Sequence, residues 1–149
     1  MRVIIQRVLS ASIRIDEAIH SQINHGLLIL IGVTHNDTKE DIEWLVQKIV
    51  NLRIFNDEKG KMNRSIHDVQ GEFLVVSQFT LFASTKKGNR PSFIASAKPE
   101  IAVPIYENFI EEIKKCGLVI QTGVFGADMK VSFVNDGPVT IIIDSKNKE

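Results

Sequence analysis

Cysteine is nearly absent from this sequence of 149 residues, which contains only Cys116. A single cysteine excludes a disulfide within the chain, and it excludes zinc sites built from several thiolates. The four histidines do not compensate, because none is paired with a cysteine or a carboxylate at metal-ligand spacing. We therefore expect neither a metal nor a cofactor.

An excess of positive charge is also lacking, since eighteen Lys and Arg residues balance eighteen Asp and Glu residues. Proteins that hold nucleic acid mainly through charge are usually basic, so any contact with RNA must be local. The sequence offers one small basic cluster, formed by Lys86, Lys87 and Arg90. This cluster suits a phosphate backbone, but a cluster of its size is usually a solvated loop.

Long hydrophobic runs and the common catalytic motifs are missing as well. No apolar stretch approaches the ~18 residues of a membrane span, and the first residues lack the pattern of a secretory leader. We expect a cytoplasmic protein that does not bind a membrane. The absence of a Gly-Xaa-Ser-Xaa-Gly elbow and of a phosphate loop excludes the chemistry that depends on those motifs.

Hydrophobic periodicity predicts strands and two helices in an order that does not strictly alternate. Thr38 followed by Asp41 resembles a capping box and begins the first helix, and a second helix is expected at about 99–115 with Pro104 inside it. The expected buried stripe of this second helix is Ala102, Ile105, Tyr106, Phe109, Ile110 and Ile113. Strands are predicted at 2–15, 18–23, 27–33, 52–55, 73–83, 118–125, 130–135 and 139–144. We predict a single α+β domain over residues 1–149, a mostly antiparallel sheet or barrel with two main helices packed on it.

The segment Ser77-Gln78-Phe79-Thr80-Leu81 sets polar residues among apolar ones. If it continues the strand predicted over 73–83, Ser77 and Phe79 share one face and Gln78 and Thr80 share the other. Polar groups placed against a core need partners. The simpler interpretation is a strand end that emerges into solvent, with threonine kept for its β propensity.

The segment Asn135-Asp136-Gly137-Pro138-Val139-Thr140 lies between two apolar runs. Its Asp-Gly pair predicts a tight hairpin turn. Only about 5–6% of bonds before proline are cis in folded proteins, so spacing alone favours an ordinary turn.

Together, these two segments resemble those of the D-aminoacyl-tRNA deacylases, formerly called D-tyrosyl-tRNA deacylases. Two motifs in the correct order are more specific than either alone. The sequence departs from the family pattern at Ser84, where we expect an acidic residue, and at Phe82, where a different side chain is common. Elsewhere the resemblance extends over essentially the whole chain, through Ile5-Gln6-Arg7-Val8, Arg53-Ile54-Phe55, Gly60-Lys61-Met62-Asn63, Gly88-Asn89-Arg90-Pro91-Ser92-Phe93, Thr122-Gly123 and Phe125-Gly126-Ala127-Asp128-Met129.

The resemblance implies an esterase that acts on the 3′ end of a tRNA carrying a D-amino acid and releases free amino acid and free tRNA. Glycine misplaced on the alanine tRNA is a second implied substrate. The resemblance also implies a homodimer with its active sites at the subunit interface. The Gly137-Pro138 bond is then cis, and this segment of one subunit enters the active site of the other.

The resemblance assigns roles to eight residues. The expected catalytic residues are Ser77, Gln78, Phe79 and Thr80, and the expected substrate-binding residues are Gly137, Pro138, Arg7 and Met129. Backbone N–H groups near Phe79 and Thr80 are candidates for an oxyanion hole. Carbonyl oxygens of Gly137 and Pro138 are candidates for holding the substrate's α-ammonium group, with Arg7 as a brace for this segment. Thr80 either positions water or shapes the pocket, or it acts as a nucleophile, and the sequence shows no base for the nucleophilic role.

Two other functions are compatible with the residues. One is a dimeric nucleic-acid-binding module without catalysis, which the neutral net charge disfavours. The other is an esterase for a small metabolite, for which the tRNA would bring no advantage.

Overall fold

The computed structural model describes residues 1–148. Its helices are α1 (Lys39–Asn51) and α2 (Pro99–Lys114), and a single 3-10 turn occupies Phe79–Phe82. Its strands are β1 (Arg2–Ile15), β2 (Ala18–Ile23), β3 (Gly26–Gly32), β4 (Phe55–Asn56), β5 (Met62–Arg64), β6 (Glu72–Ser77), β7 (Ile120–Thr122) and β8 (Lys130–Asp144).

Strand β1 is the centre of a six-stranded sheet. It pairs antiparallel with β3 through its first half and with β2 through its second half, while β8 runs antiparallel along its other edge. Strand β6 then pairs with β3, and β7 with β6, both in parallel. Parallel neighbours need a crossover connection, and the connections here carry α1 and α2. The α+β class is therefore confirmed, and part of the sheet is parallel.

Both faces of the sheet are covered where β3 and β6 lie. Leu27, Ile29 and Ile31 of β3 belong to the apolar cluster that contains the buried faces of α1 and α2. Leu28 belongs to a second cluster on the opposite face, with Leu74 and Val76 of β6. This two-sided burial explains why residues 27–33 are apolar at nearly every position. No helix in residues 1–148 is both long and apolar enough to cross a membrane.

The start of α1 is fixed by ionic contacts as well as by its cap. The predicted capping box is confirmed, because the Thr38 N–H donates to the Asp41 carboxylate at 2.8 Å. Lys146 donates to the same carboxylate at 2.6 Å. Nearby, the Met1 ammonium group forms an ion pair with buried Asp37. Residues from both ends of the described chain therefore hold this helix end in place.

Strand β6 is shorter than the sequence predicts, and the strand expected over 73–83 is wrong beyond Ser77. After Ser77 the chain leaves the sheet and enters the 3-10 turn, with the Leu81 N–H donating to the Gln78 carbonyl oxygen at 3.3 Å. Gly32 permits this turn, because a Cβ there would lie 3.0 Å from the Leu81 Cβ. The alternation of faces that a strand would impose therefore does not apply to this segment.

The hairpin predicted at residues 135–140 is also wrong. Residues 130–135 and 140–144 both pair with β1, in one continuous direction. Residues 136–139 have no partner in that register, so they form a bulge in a single long strand. The Asp-Gly pair therefore marks a bulge and not a chain reversal.

Two further strand boundaries differ from prediction. The strand expected at 52–55 begins only at Phe55, and it pairs with β5 across residues 57–61. The strand expected at 118–125 is limited to Ile120–Thr122. The second helix matches its predicted extent, with Pro99 in its first turn and Pro104 inside it.

Candidate active site

A cavity of about 630 Å³ opens where the end of β6 meets the start of α2. Four parts of the chain form its wall: the end of β3 with Val33, the end of β6 with the start of the 3-10 turn, the segment that leads into α2 with the first turns of that helix, and residues 125–131. The lining side chains that bear on function are Ser77, Gln78, Phe79, Phe93, Lys98, Tyr106 and Met129. Its volume suits a small organic ligand, since such sites usually measure about 300–1,000 Å³.

Gln78 and Thr80 form a hydrogen-bonded pair beside this cavity. The Gln78 Nε2 donates to the Thr80 Oγ1 at 2.5 Å. A side-chain amide is not a base, so Gln78 orients the hydroxyl without taking its proton. Within residues 1–148, no histidine or carboxylate forms a hydrogen bond with Thr80.

Two neighbouring backbone N–H groups, one in the cavity wall and one beside it, are free. The N–H groups of Phe79 and Thr80 have no acceptor among residues 1–148, whereas Gln78 and Leu81 donate to backbone carbonyls. The first donors of a helical turn lack partners within that turn. Adjacent donors of this kind are the groups that stabilise an oxyanion during acyl transfer.

Aromatic rings line the same cavity. Phe79 and Phe93 pack edge to face, with ring centroids 5.1 Å apart. Tyr106 and Phe125 form a tilted pair at 5.9 Å. Gly123 leaves room for the sulfur of Met129, because a Cβ at position 123 would overlap it. The cavity therefore offers flat apolar surfaces to a ligand next to the free N–H groups.

Tyr106 is a fixed donor in this wall and not a base. Its hydroxyl is buried and donates to the Val75 carbonyl oxygen at 3.0 Å. Burial raises the pKa of Tyr106 to about 12, so the phenol is neutral at physiological pH. Elsewhere in residues 1–148, no group of three His, Cys, Asp or Glu side chains is arranged to hold a metal ion.

The Gly137-Pro138 segment lies outside this cavity. Its peptide bond is cis, which confirms that expectation. Both residues are exposed, and neither lines the cavity of its own chain. The predicted site residues therefore form two groups in one chain. The first contains Ser77, Gln78, Phe79, Thr80 and Met129, and the second contains Arg7, Gly137 and Pro138.

Arg7 anchors the base of the bulge from inside the protein. Its Nη1 donates to the Ile54 carbonyl oxygen at 2.6 Å, and its Nε donates to the Asp136 carbonyl oxygen at 3.1 Å. The Asp136 carboxylate lies 3.2 Å from the same Nε and balances the buried charge. A Cβ on Gly137 would lie 3.0 Å from the Arg7 Nη2, so the backbone passes close to the guanidinium.

Asn135 joins the two arms of the bulge with one side chain. Its Oδ1 accepts a hydrogen bond from the Val139 N–H at 2.9 Å. Its Nδ2 donates to the Thr140 Oγ1 at 3.0 Å and to the Gln6 Oε1 at 2.9 Å. Arg7 and Asn135 therefore hold the segment from both sides, and its exposed backbone has a defined shape.

The sequence did not single out three residues that the structure places at these sites. Phe93 and Tyr106 line the cavity, and Gln6 supports Asn135. Phe93 and Gln6 lie in segments that carry the family resemblance, so that resemblance was the available signal for them. Tyr106 was predicted only as part of the buried stripe of α2, because its contact with Val75 depends on tertiary packing.

Comparison with protein families and curated proteins gives concordant matches. A family model described as D-Tyr-tRNA(Tyr) deacylase matches residues 4–144. A protein named D-aminoacyl-tRNA deacylase from Flavobacterium psychrophilum is 60% identical over 150 residues, covering 100% of both chains. A protein of the same name from Parabacteroides distasonis is also 60% identical over 150 residues, with the same coverage.

Solved structures share the fold. One named c-Myc DNA Unwinding Element Binding Protein superposes with a TM-score of 0.91 at 42% identity, over 97% of this chain and 98% of that chain. A second, described as a probable eukaryotic D-amino acid tRNA deacylase, has a TM-score of 0.83 at 16% identity. It covers 95% of this chain and 97% of the other, and at this identity the likeness shows the fold alone.

Proposed function

The chain belongs to the D-Tyr-tRNA(Tyr) deacylase family, and on that premise we propose that it hydrolyses the ester bond of D-aminoacyl-tRNA. The products are a free D-amino acid and free tRNA, so the enzyme is a carboxylic ester hydrolase. The observation that carries the proposal is a pair of free N–H groups, that of Phe79 in the wall of the cavity and that of Thr80 beside it. The cavity also has the size and the aromatic surfaces for a terminal nucleoside with its amino acid.

The reaction needs little more than positioned donors, because an aminoacyl ester is already activated. A water molecule adds to the ester carbonyl carbon, and negative charge develops on the carbonyl oxygen. The Phe79 and Thr80 N–H groups donate to this oxygen. The bond to the ribose oxygen then breaks, and that oxygen takes up a proton as the free tRNA hydroxyl forms.

Thr80 acts by positioning water and not as a nucleophile. Gln78 already donates to the Thr80 Oγ1, which leaves the Thr80 O–H group directed to another acceptor. Activation of this oxygen as a nucleophile requires an adjacent base, and Gln78 cannot supply one. Ser77 and Gln78 support the geometry of this wall, and Met129 contributes apolar contact to the bound nucleoside.

The Gly137-Pro138 segment serves the active site of a second copy in a homodimer. Its exposure, and its position outside the cavity of its own chain, support this assignment. The outer edge of β8 has no strand partner within residues 1–148, and it exposes large apolar side chains. These side chains are Phe133, Val134 and Ile142. An open apolar edge of this kind favours association with another chain.

Chiral selection follows from placing this segment against the substrate. Carbonyl oxygens of Gly137 and Pro138 accept hydrogen bonds from the substrate's α-ammonium group. Once the ammonium and the ester are fixed, an L side chain meets the Gly-Pro backbone, and a D side chain points outward. Glycine has no side chain to reject, so glycine misplaced on the alanine tRNA is also a substrate.

A test of the substrate class compares two esters of the same D-amino acid. We expect the purified protein to hydrolyse D-tyrosyl-tRNA with a much higher kcat/KM than D-tyrosine methyl ester, because the cavity binds the terminal nucleoside. Equal kcat/KM values for the two esters would instead indicate an esterase for small metabolites. We place the activity in the cytoplasm and assign it to residues 1–149 as one domain.

Nucleic-acid binding without catalysis is the second candidate function. It is favoured by the name of one structural relative, which is 42% identical to this chain and refers to a DNA unwinding element. This candidate predicts salt-sensitive binding of DNA or RNA and no ester hydrolysis. The balanced net charge disfavours it as the main role.

A further inference from the structure

One part of this neutral protein has a net positive charge, because it contains basic residues and no acidic ones. Residues 73–99 contain four basic side chains and no Asp or Glu, and they lie between Glu72 and Glu100. The rest of the chain has fourteen basic and eighteen acidic residues. The basic side chains of this stretch are Lys86, Lys87, Arg90 and Lys98. The balanced total therefore conceals a local excess of positive charge.

Three of these cations lie on one exposed loop whose ends are joined. The backbones of Ser84 and Ser92 exchange two hydrogen bonds, of 2.7 and 2.9 Å. The residues between them, 85–91, are all exposed, and we call them the basic loop. The loop contains Lys86, Lys87 and Arg90, and none of the three forms an ion pair within residues 1–148. By contrast, Lys114, Lys115 and Lys130 each pair with a carboxylate.

The basic loop stands at the rim of the cavity. Phe93, two residues after the loop, lines the cavity and packs against Phe79 with ring centroids 5.1 Å apart. Lys98 lines the same cavity further along the chain. One acidic side chain, Asp128, is also part of the cavity wall, and its carboxylate is paired with Lys130 at 2.9 Å. The positive side of the rim is therefore the side formed by the basic loop and Lys98.

A tRNA substrate brings negative charge to this rim. When its terminal nucleoside occupies the cavity, the preceding nucleotides leave across the rim, and each carries one phosphodiester. Unpaired Lys and Arg side chains on an exposed loop interact with such phosphates without reading the bases. We propose that the basic loop and Lys98 bind the phosphate backbone of the single-stranded 3′ end of the tRNA. This inference rests on the proposed function and adds the surface that recognises the RNA.

Phosphate contacts have a measurable signature in the dependence of binding on salt. Each contact releases counterions, so the logarithm of the binding constant falls with the logarithm of salt concentration by about 0.7–0.9 per contact. Removing three contacts should reduce this slope by roughly two to three. At low salt the Kd for tRNA should rise about tenfold or more.

The test neutralises the loop and separates RNA binding from chemistry. The variant carries Lys86→Gln, Lys87→Gln and Arg90→Gln, all at exposed positions. Fluorescence anisotropy measures binding of labelled, uncharged tRNA over a range of salt concentrations. Kinetics are measured with D-tyrosyl-tRNA and with D-tyrosyl-adenosine, which lacks the preceding phosphates. We expect a higher KM for D-tyrosyl-tRNA at unchanged kcat, and unchanged kinetics for D-tyrosyl-adenosine.

A matched control removes the same number of charges elsewhere. Lys39→Gln, Lys114→Gln and Lys115→Gln change net charge equally, at exposed lysines that pair with carboxylates. We expect this control to bind tRNA like the wild type, with the same salt slope. An equal loss of binding in the control would show that net charge matters and not the loop, which would overturn the proposal.

Other outcomes are equally decisive. If the loop variant shows the same salt dependence of binding as the wild type, these residues do not contact phosphates. A rise in KM for D-tyrosyl-adenosine would show that the loop shapes the cavity instead. If duplex DNA without a single-stranded end competes as well as tRNA for binding, recognition of the 3′ end is contradicted. If the wild type binds tRNA through the loop but hydrolyses neither ester, the proposed function fails and the binding surface stands.

Discussion

The Thr80 hydroxyl lies beside the side-chain amide of Gln78 and not beside a base. Because Gln78 donates to its Oγ1, the hydroxyl is oriented but not activated. We expect Thr80→Ala to reduce the rate by roughly 10–100-fold, an effect of mispositioned water, and to leave measurable activity. Thr80→Ser should remain close to the wild type. Single-turnover kinetics with D-tyrosyl-tRNA measure these rates. Complete loss in Thr80→Ala, together with a trapped acyl-enzyme in the wild type, would establish a nucleophilic role instead.

Neighbouring atoms lie too close to Gly137 to leave room for a side chain. Its φ is +127°, and a Cβ would lie 3.0 Å from the Arg7 Nη2 and 3.0 Å from the Val139 Cγ2. We expect Gly137→Ala to displace the bulge and to lower the ratio of kcat/KM for D- over L-tyrosyl-tRNA by about tenfold or more, which corresponds to ~1.4 kcal/mol.

Gly60→Ala is the control for that substitution. Gly60 also has a positive φ, of +74°, but nothing lies within 4 Å of a Cβ built there. Both variants place an alanine at a positive φ, which costs about 1–3 kcal/mol, and only Gly137→Ala also disturbs neighbours. A changed D-to-L ratio in both variants would attribute the effect to lost stability and not to the bulge.

At the scale of elements, local sequence predicted most helices and strands correctly. The predictions failed where contacts with another strand determine the path of the chain. The capping box at Thr38 and the stripe of α2 are local signals, and both helices form as predicted. The end of β6 depends on Gly32 of another strand, which lets the chain turn at Gln78. The bulge in β8 depends on its pairing with β1, so an Asp-Gly pair alone could not distinguish it from a hairpin.

Part of the candidate site was predictable from local sequence. Residues 77–80 are adjacent in sequence, and the structure keeps Ser77, Gln78 and Phe79 in the cavity wall with Thr80 beside it. The separation of the Gly137-Pro138 segment from that wall, and its support by Asn135, depend on the sheet and could not be read from spacing.

The bulge of β8 is held by Asn135, whose side chain makes three hydrogen bonds across it. Asn135→Asp keeps an acceptor for the Val139 N–H but loses the donors to Gln6 and Thr140. Asn135→Ala loses all three. We expect the D-to-L ratio of kcat/KM to fall modestly for the Asp variant and further for the Ala variant.

A surface asparagine serves as the control for this series. Asn51 donates to the Gln47 carbonyl oxygen on the exposed side of α1, and Asn51→Ala should leave the D-to-L ratio unchanged. An unchanged ratio in Asn135→Ala would show that Arg7 alone suffices to hold the bulge.

The start of α1 gives the protein a defined response to acid. Burial raises the pKa of Asp41, but hydrogen bonds from Lys146, Ser145 and the Thr38 backbone outweigh this effect and hold the pKa well below its usual value. A lowered folded-state pKa contributes stability that is present above the unfolded pKa of about 3.9 and is lost as pH falls below it.

We therefore expect Asp41→Asn to lower the free energy of unfolding at pH 7 by about 1–2 kcal/mol. The difference from the wild type should shrink as pH falls from about 5 to 2, because Asp41 of the unfolded wild-type chain becomes protonated in this range before the folded chain does, which favours the unfolded state. Urea denaturation across this range measures it, with Asp16→Asn at an exposed site as the control. A difference that stays constant with pH would contradict the ionic role of Asp41.

At the scale of the whole molecule, the cavity and the bulge of β8 do not meet within one chain. The free N–H groups of Phe79 and Thr80 lie in and beside the cavity wall, and the bulge of β8 presents an exposed backbone outside that cavity. Strand β8 also has an apolar edge with no partner within residues 1–148. We infer that a second copy brings the two parts together, so activity and association should be lost together when this edge is disrupted.

Chirality is the property that tests the whole account most directly. The measurement is the rate of hydrolysis of D-tyrosyl-tRNA and L-tyrosyl-tRNA by the same purified protein under the same conditions. We predict that the D ester is hydrolysed at least ~100-fold faster, a difference of about 2.7 kcal/mol in transition-state free energy. Equal hydrolysis of both esters, or hydrolysis of neither, would contradict the account.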